Sequence, residues 1–449
     1  MPPSVGLAPW LSVSCLLLAS GPGCDGGGTE DPPQPRREAP AEGPAAASPG
    51  SPSPAASPGV ASLPSSVPTT EGLTAGATPF PYPETPPVQA TRDILERVVR
   101  THALEAADAW ALGHGLLALG PDATLPGGEP VVEHLFQDFA ERRDGWVRFP
   151  ESRGAVRVEP QRDLMLKVFA EIGVAPERTV VVDGAPATLA DLYRGALARS
   201  WIEGSRSAYG DWNAVGWSLQ ALAAWAPPDL AWTAEGGRET RLSALAVAAL
   251  DALRDETAIL RRARAEGQRP SRGALGRAGQ LGIIRYACGG AHFLQGVAYA
   301  AGRGFVPEAR LGELDEEASI ALWRLSWEIP DLDGLIASEA ELRPFLLVQR
   351  LKFLGHLLET VHKLAILDLF HPTEEEQASM TATLEELVRT AITLQAMGWF
   401  DGLGAFRREP LPRFPDMATN EQVYLDTVGD ASHALRGLDL ATGRGRLLH

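Results

Sequence analysis

Lysine and cysteine are the scarce residues of this 449-residue chain. Lysine occurs only as Lys167, Lys352 and Lys363, so arginine supplies 37 of the 40 basic side chains. With the heavy use of alanine, that bias matches a GC-rich coding sequence and suggests little mechanism. The cysteines are Cys15, Cys24 and Cys288. Only Cys288 falls in the expected folded body, so no internal disulfide holds the domain and stability must come from packing. Net positive charge is also missing. The 57 acidic against 40 basic side chains leave −17, which disfavours nucleic acid and anionic membrane surfaces as partners. Nor is there a G-x-S-x-G, an H-E-x-x-H, a phosphate-cradling glycine loop or a nucleotide fingerprint. What is present is 45% hydrophobic residues and 22% charged ones, enough for a sizeable core.

The organisation reads in three parts. Residues 7–20 form an apolar run of signal-peptide length, too short to span a bilayer as a helix. Small residues and Cys24 follow, which places residues 1–24 as a lipoprotein-type signal with Cys24 as the lipidated residue. Gly21 stands where that pattern favours leucine, so simple cleavage and release to the periplasm or medium is the alternative. Residues 25–90 hold 16 of the 37 prolines and show no apolar periodicity. Such a segment cannot offset its own ordering entropy and reads as a disordered linker, about 45 Å across as a flexible coil. The stretch 78–87 reads as the end of that linker. The domain is expected over 91–449.

Within the domain the period is helical. Amphipathic helices are expected near 91–108, 187–200, 241–254, 313–327 and 374–397, and the first interval between motifs has room for a further pair near 129–141 and 161–173. Thr188 with Asp191, and Thr373 with Glu376, have capping-box spacing. Strand signal is confined to 146–149, 155–158 and 179–184, which read as inserted hairpins. Five segments share one pattern: a small residue, His or Trp, any residue, Leu, two residues, then Leu or Val. Their central residues are His114, Trp217, His292, His356 and His433, 64 to 103 positions apart. The 161–173 helix matches poorly. Apolar segments alternating with amphipathic ones build two helical layers. The expected fold is therefore mainly α, an α/α toroid of five to six helical hairpins with small β-hairpin insertions. An open solenoid is the runner-up.

The stretches 180–197, 211–228 and 288–300 (CGGAHFLQGVAYA) resemble a family of uncharacterised exported bacterial proteins whose corresponding helix opens on a CGGTH-like start. Their helices are similar to the toroid of the terpene cyclase and prenyltransferase superfamily. The resemblance covers most of 160–300 and implies a fold and an exported location without an activity. Ala291 stands where that family has threonine, and the DxDD protonation motif of class II cyclases is absent.

The candidate chemistry is sparse. The ring of His114, Trp217, His292, His356 and His433 is the candidate ligand-binding set if it lines a cavity. If each ring instead wedges between helices, with its nitrogen on a backbone carbonyl, the pattern is architectural. Cys288 and His292 have i, i+4 spacing, and His356 or His433 would complete a zinc set. The Gly289-Gly290 pair turns the chain there, so no metal or cofactor is favoured. Asp211, Asp426 and Asp430 lie near the motif level. Asp211, His292 and His433 are the catalytic candidates for polysaccharide cleavage, Asp211 acting with a second group from the histidine ring, although Asp211 also suits a helix N-cap. The arginine-rich run 261–277 reads as a solvated loop. The expected protein is thus an exported, lipid-anchored envelope module that binds a glycan or protein ligand; the alternative is a polysaccharide lyase or glycoside hydrolase.

Overall fold

The computed structural model describes residues 61–64, 67–210, 212–270, 282–409 and 417–449. It is mainly helical, with small two-stranded antiparallel sheets. The thirteen helices described are α1 (Pro86–His102), α2 (Ala109–Leu119), α3 (Val131–Phe139), α4 (Leu164–Glu171) and α5 (Leu189–Arg199). Next come α6 (Val215–Ala224), α7 (Leu242–Ala265), α8 (Ala291–Gly302) and α9 (Gly312–Ser338). The last four are α10 (Arg343–Ile366), α11 (Glu374–Ala396), α12 (Trp399–Phe406) and α13 (Met417–Ala441).

Two kinds of helix are distinguished by what they bury. Helix α1 buries Val88, Thr91, Leu95, Val98 and Val99, one stripe at helical spacing with solvent on the other face. Helix α2 buries every residue from Ala109 to Leu117, as a helix enclosed on all sides must. The motif-bearing helices α2, α6, α8, α10 and α13 belong to the enclosed kind, and α4 joins them. Each touches the next: α2 with α4, α4 with α6, α6 with α8, α8 with α10, α10 with α13, and α13 with α2. Amphipathic helices α1, α3, α5, α7, α9 and α11 pack against them.

The capping boxes form as their spacing predicts. The Asp191 carboxylate accepts from the Thr188 N–H at 2.9 Å. Thr373 and Glu376 cap each other reciprocally, at 3.0 and 3.2 Å. Hairpins 141–148, 179–188 and 231–241 insert between helices.

The domain begins earlier than residue 91. Helix α1 starts at Pro86, whose missing N–H is harmless in a first helical turn. Residues 67–85, expected to be linker, lie along the domain. Ala75–Gly76 pair with Leu447–Leu448, the Thr69 N–H donates to the Trp225 carbonyl, and Val67 is buried. Proline content hid this contact, because an extended strap docked by backbone hydrogen bonds has no apolar period. Cys24 and the rest of 1–60 lie outside the described residues. Among the described residues, no helix is long and apolar enough to cross a membrane.

Candidate functional site

The small residue of the motif explains how the enclosed helices meet. A Cβ on Gly216 would stand 2.7 Å from the His292 carbonyl oxygen, and one on Gly296 would collide with the Gly216 backbone. Gly355 is set against the Ala434 backbone, and Gly437 against the Gly355 carbonyl, in the same way. Backbones this close bring the next side chain of each helix, the His or Trp, onto its neighbours. Trp217 and His292 have ring centroids 4.9 Å apart, His292 and His356 5.1 Å, and His356 and His433 4.0 Å. His114 reaches His433 at 5.4 Å. All five motif residues therefore converge, and all five are buried.

Their nitrogens are fixed in different ways. His114 Nδ1 donates to the Trp110 carbonyl at 2.8 Å, and His356 Nδ1 to the Lys352 carbonyl at 2.9 Å. His433 Nδ1 donates to the Glu359 carboxylate at 2.6 Å. His292 Nδ1 and His356 Nε2 are buried without a hydrogen-bond partner. Burial holds these rings neutral. It lowers His114 to about 3 and pulls His292 and His356 well below the ordinary range, with neighbouring His433 acting the same way. His433 is lowered as well, since desolvation outweighs the attraction of Glu359.

One turn further along lies a second polar layer that the motif reading missed. Three residues after four of the five motif positions stand Gln220, Gln295, Glu359 and Arg436; after His114 the place is taken by Leu117. Lys167 occupies the motif position of α4, with Phe169 and Ile172 at the leucine positions. Lys363 donates to Glu171 at 2.9 Å, to Gln295 at 3.0 Å and to Glu359 at 2.5 Å. Lys167 pairs with Glu171 at 3.0 Å, Gln220 donates to Glu171 at 2.8 Å, and Arg436 approaches it at 3.4 Å. Burial opposes the charge of Glu171 and Glu359. The cations around Glu171, and Lys363 with His433 beside Glu359, more than offset it, and both carboxyls end below their ordinary range. The available signal was a polar residue recurring at motif plus three. Lysine scarcity was the second signal. Lys167 and Lys363 are buried in this network, where an ammonium's compact charge can serve several oxygens.

Beside the histidines is a small cavity of about 40 Å³ bordered by Cys288, Gly290, Leu294, Phe353, His356 and Thr360. Cys288, at φ +53°, and Gly289, at +63°, are left-handed and form the turn into α8. Cys288 is partly exposed as a residue, but its thiol is desolvated and pushed up to about 12. The thiol nevertheless faces the ring: donor atoms of Cys288, His292 and His356 lie within 4.8 Å of one another. Asp430, also buried, is raised to about 8 by desolvation, with Lys352 pulling it down and Asp426 pushing it up. Burial works against the Lys352 ammonium, but Asp430, Cys288 and Asp426 leave it raised.

Protein-family models, curated proteins and solved structures yield no match to the chain.

Asp211 lies outside the described residues. Its neighbour Trp212 borders a separate shallow groove of about 430 Å³ with Trp201, Ser205, Arg206, Ser207 and Tyr209. Arg238 stacks over Trp201, 4.1 Å from the ring centroid, and Arg162 over Tyr209 at 4.9 Å. Of the arginine-rich run, Arg261 lies on α7 and pairs with Glu317 at 2.7 Å, while residues 271–281 lie outside the described residues.

Proposed function

We propose that this chain is an exported, lipid-anchored envelope protein whose domain, an α/α toroid of six helical hairpins, is a glycan-binding module that works from its rim. The toroid is supported by the unbroken order of neighbours among the six enclosed helices, with one amphipathic helix preceding each. Anchoring is supported by the apolar run 7–20 and the small residues that lead from it to Cys24. The observation that carries the binding reading is the groove of Trp201, Tyr209 and Trp212. Indole rings at the groove wall, with the hydroxyls of Ser205 and Ser207 and the Arg206 guanidinium beside them, suit the alternating apolar and hydroxylated surface of a sugar.

A polysaccharide lyase or hydrolase in the centre would need a carboxylate pair facing a solvent-filled cavity beside Trp217. Trp217 is buried against His292, and the layer beneath is filled by Glu171, Lys363 and Glu359. That filling favours the module. Calorimetric titration with a panel of soluble peptidoglycan and envelope-polysaccharide fragments tests the reading. Binding should appear for at least one glycan and weaken about tenfold or more in Trp201→Ala and Trp212→Ala. Silence across the panel, or binding indifferent to both substitutions, would sink it. Mass spectrometry of the mature N-terminus checks the anchor: a diacylglyceryl mass on Cys24 is expected, and an unmodified N-terminus leaves secretion alone.

A further inference from the structure

We infer that Cys288, His292 and His356 form a zinc-type metal site, with three protein donors and a fourth coordination position facing the small cavity beside α8. This goes beyond the rim-binding reading and does not depend on it.

Three independent observations converge. First, donor atoms of one thiol and two imidazoles lie within 4.8 Å of one another, contributed by the α8 entry turn, α8 and α10. About a tetrahedral zinc with bonds of about 2.0–2.3 Å, neighbouring donors stand about 3.3–3.8 Å apart. The three side chains need close by only about 1 Å, which side-chain torsions can supply.

Second, the imidazoles carry bare nitrogens where a ligand is needed. His356 Nδ1 donates to the Lys352 carbonyl, which fixes the tautomer and leaves Nε2 as a lone pair. That Nε2 and His292 Nδ1 are buried and unpartnered. A buried polar atom left without a partner destabilises the fold, and here two occur within one cluster. A cation satisfies both at once.

Third, the backbone is bent to deliver the thiol. Cys288 adopts φ +53°, a region unfavourable for a side chain other than glycine, asparagine or aspartate. Arg324 Nη1 holds the next residue by donating to the Gly289 carbonyl at 2.8 Å. The Gly289-Gly290 pair, expected from sequence to turn Cys288 away, thus brings it to the histidines. Binding replaces the S–H bond of Cys288 with a sulfur–metal bond and releases that proton to solvent, with no change of oxidation state.

Cobalt and zinc titrations of the full-length mature protein, stripped with a chelator, provide the test. One equivalent of zinc per chain is expected by elemental analysis. Cobalt should give the intense visible bands of a tetrahedral site and a near-ultraviolet thiolate charge-transfer band. Cys288→Ser should abolish the charge-transfer band, and His356→Gln should weaken zinc binding about tenfold or more. Zinc should also protect Cys288 of the wild type from alkylation, read by peptide mapping, which requires no variant to fold. Substoichiometric metal, cobalt bands that survive Cys288→Ser, or alkylation indifferent to zinc would each overturn the assignment.

Discussion

Lys363 is held at the centre of the molecule by oxygens of Glu171, Gln295 and Glu359. The two carboxylates are fully enclosed, so removing their common cation leaves negative charge with nowhere to go. Lys363→Met should destabilise the protein by about 3–5 kcal/mol in urea unfolding. Adding Glu359→Gln should recover part of that loss, because one of the orphaned charges is then gone. A Lys363→Met protein as stable as wild type would show that the remaining cations, Lys167 and Arg436, already suffice for Glu171. None of this could be read from Lys363 alone. In sequence it is one lysine near a helix end, and lysine is ordinarily a surface residue. Only the convergence of α4, α8 and α10 makes it central.

At the scale of the helix, the repeated motif is a packing rule as much as a chemical one. Its glycines let α6 approach α8, and α10 approach α13, with backbone against backbone, and the adjoining rings follow from that approach. Gly296→Ala should therefore lower stability by about 1–3 kcal/mol, although alanine is the better helix former. Thermal unfolding monitored by circular dichroism would measure it, and a stabilised variant would mean that the two helices separate without penalty. The sequence pattern placed these helices well: α5 and α11 fall within their expected ranges, and α3 and α4 within theirs. The ends of α7 and α9 were missed by about three turns. In those extensions Arg261 of α7 pairs with Glu317 of α9, and Asp333 of α9 with Arg350 of α10, and such cross-helix contacts prolong a helix beyond its apolar period.

For the whole molecule, the consequence is acid lability. His362 on α10 is buried, hydrogen-bonded at 2.8 Å to Thr78 of the docked strap, and lowered by burial to about 4. An unfolded chain titrates histidine near 6.5. Between pH 6.5 and 4 the unfolded chain binds this proton and the folded one does not, so the fold loses stability as pH falls. Its full contribution is present above pH 6.5, and about 3 kcal/mol is lost by pH 4. Burial lowers the motif histidines in the same direction. Urea unfolding at pH 7 and pH 5 should show a drop in stability that is smaller in His362→Gln. An equal drop in the variant would remove His362 as a contributor.

Helix content, the placement of most helices and the existence of a five-fold motif were written in local periodicity and spacing, since each depends on residues within a turn or two of one another. The meeting of His356 with the Cys288–His292 pair, the filling of the centre by Glu171, Lys363 and Glu359, and the docking of residues 67–85 arose only from tertiary packing. Each joins side chains or backbones far apart in the chain, and no local pattern specifies which helix faces which.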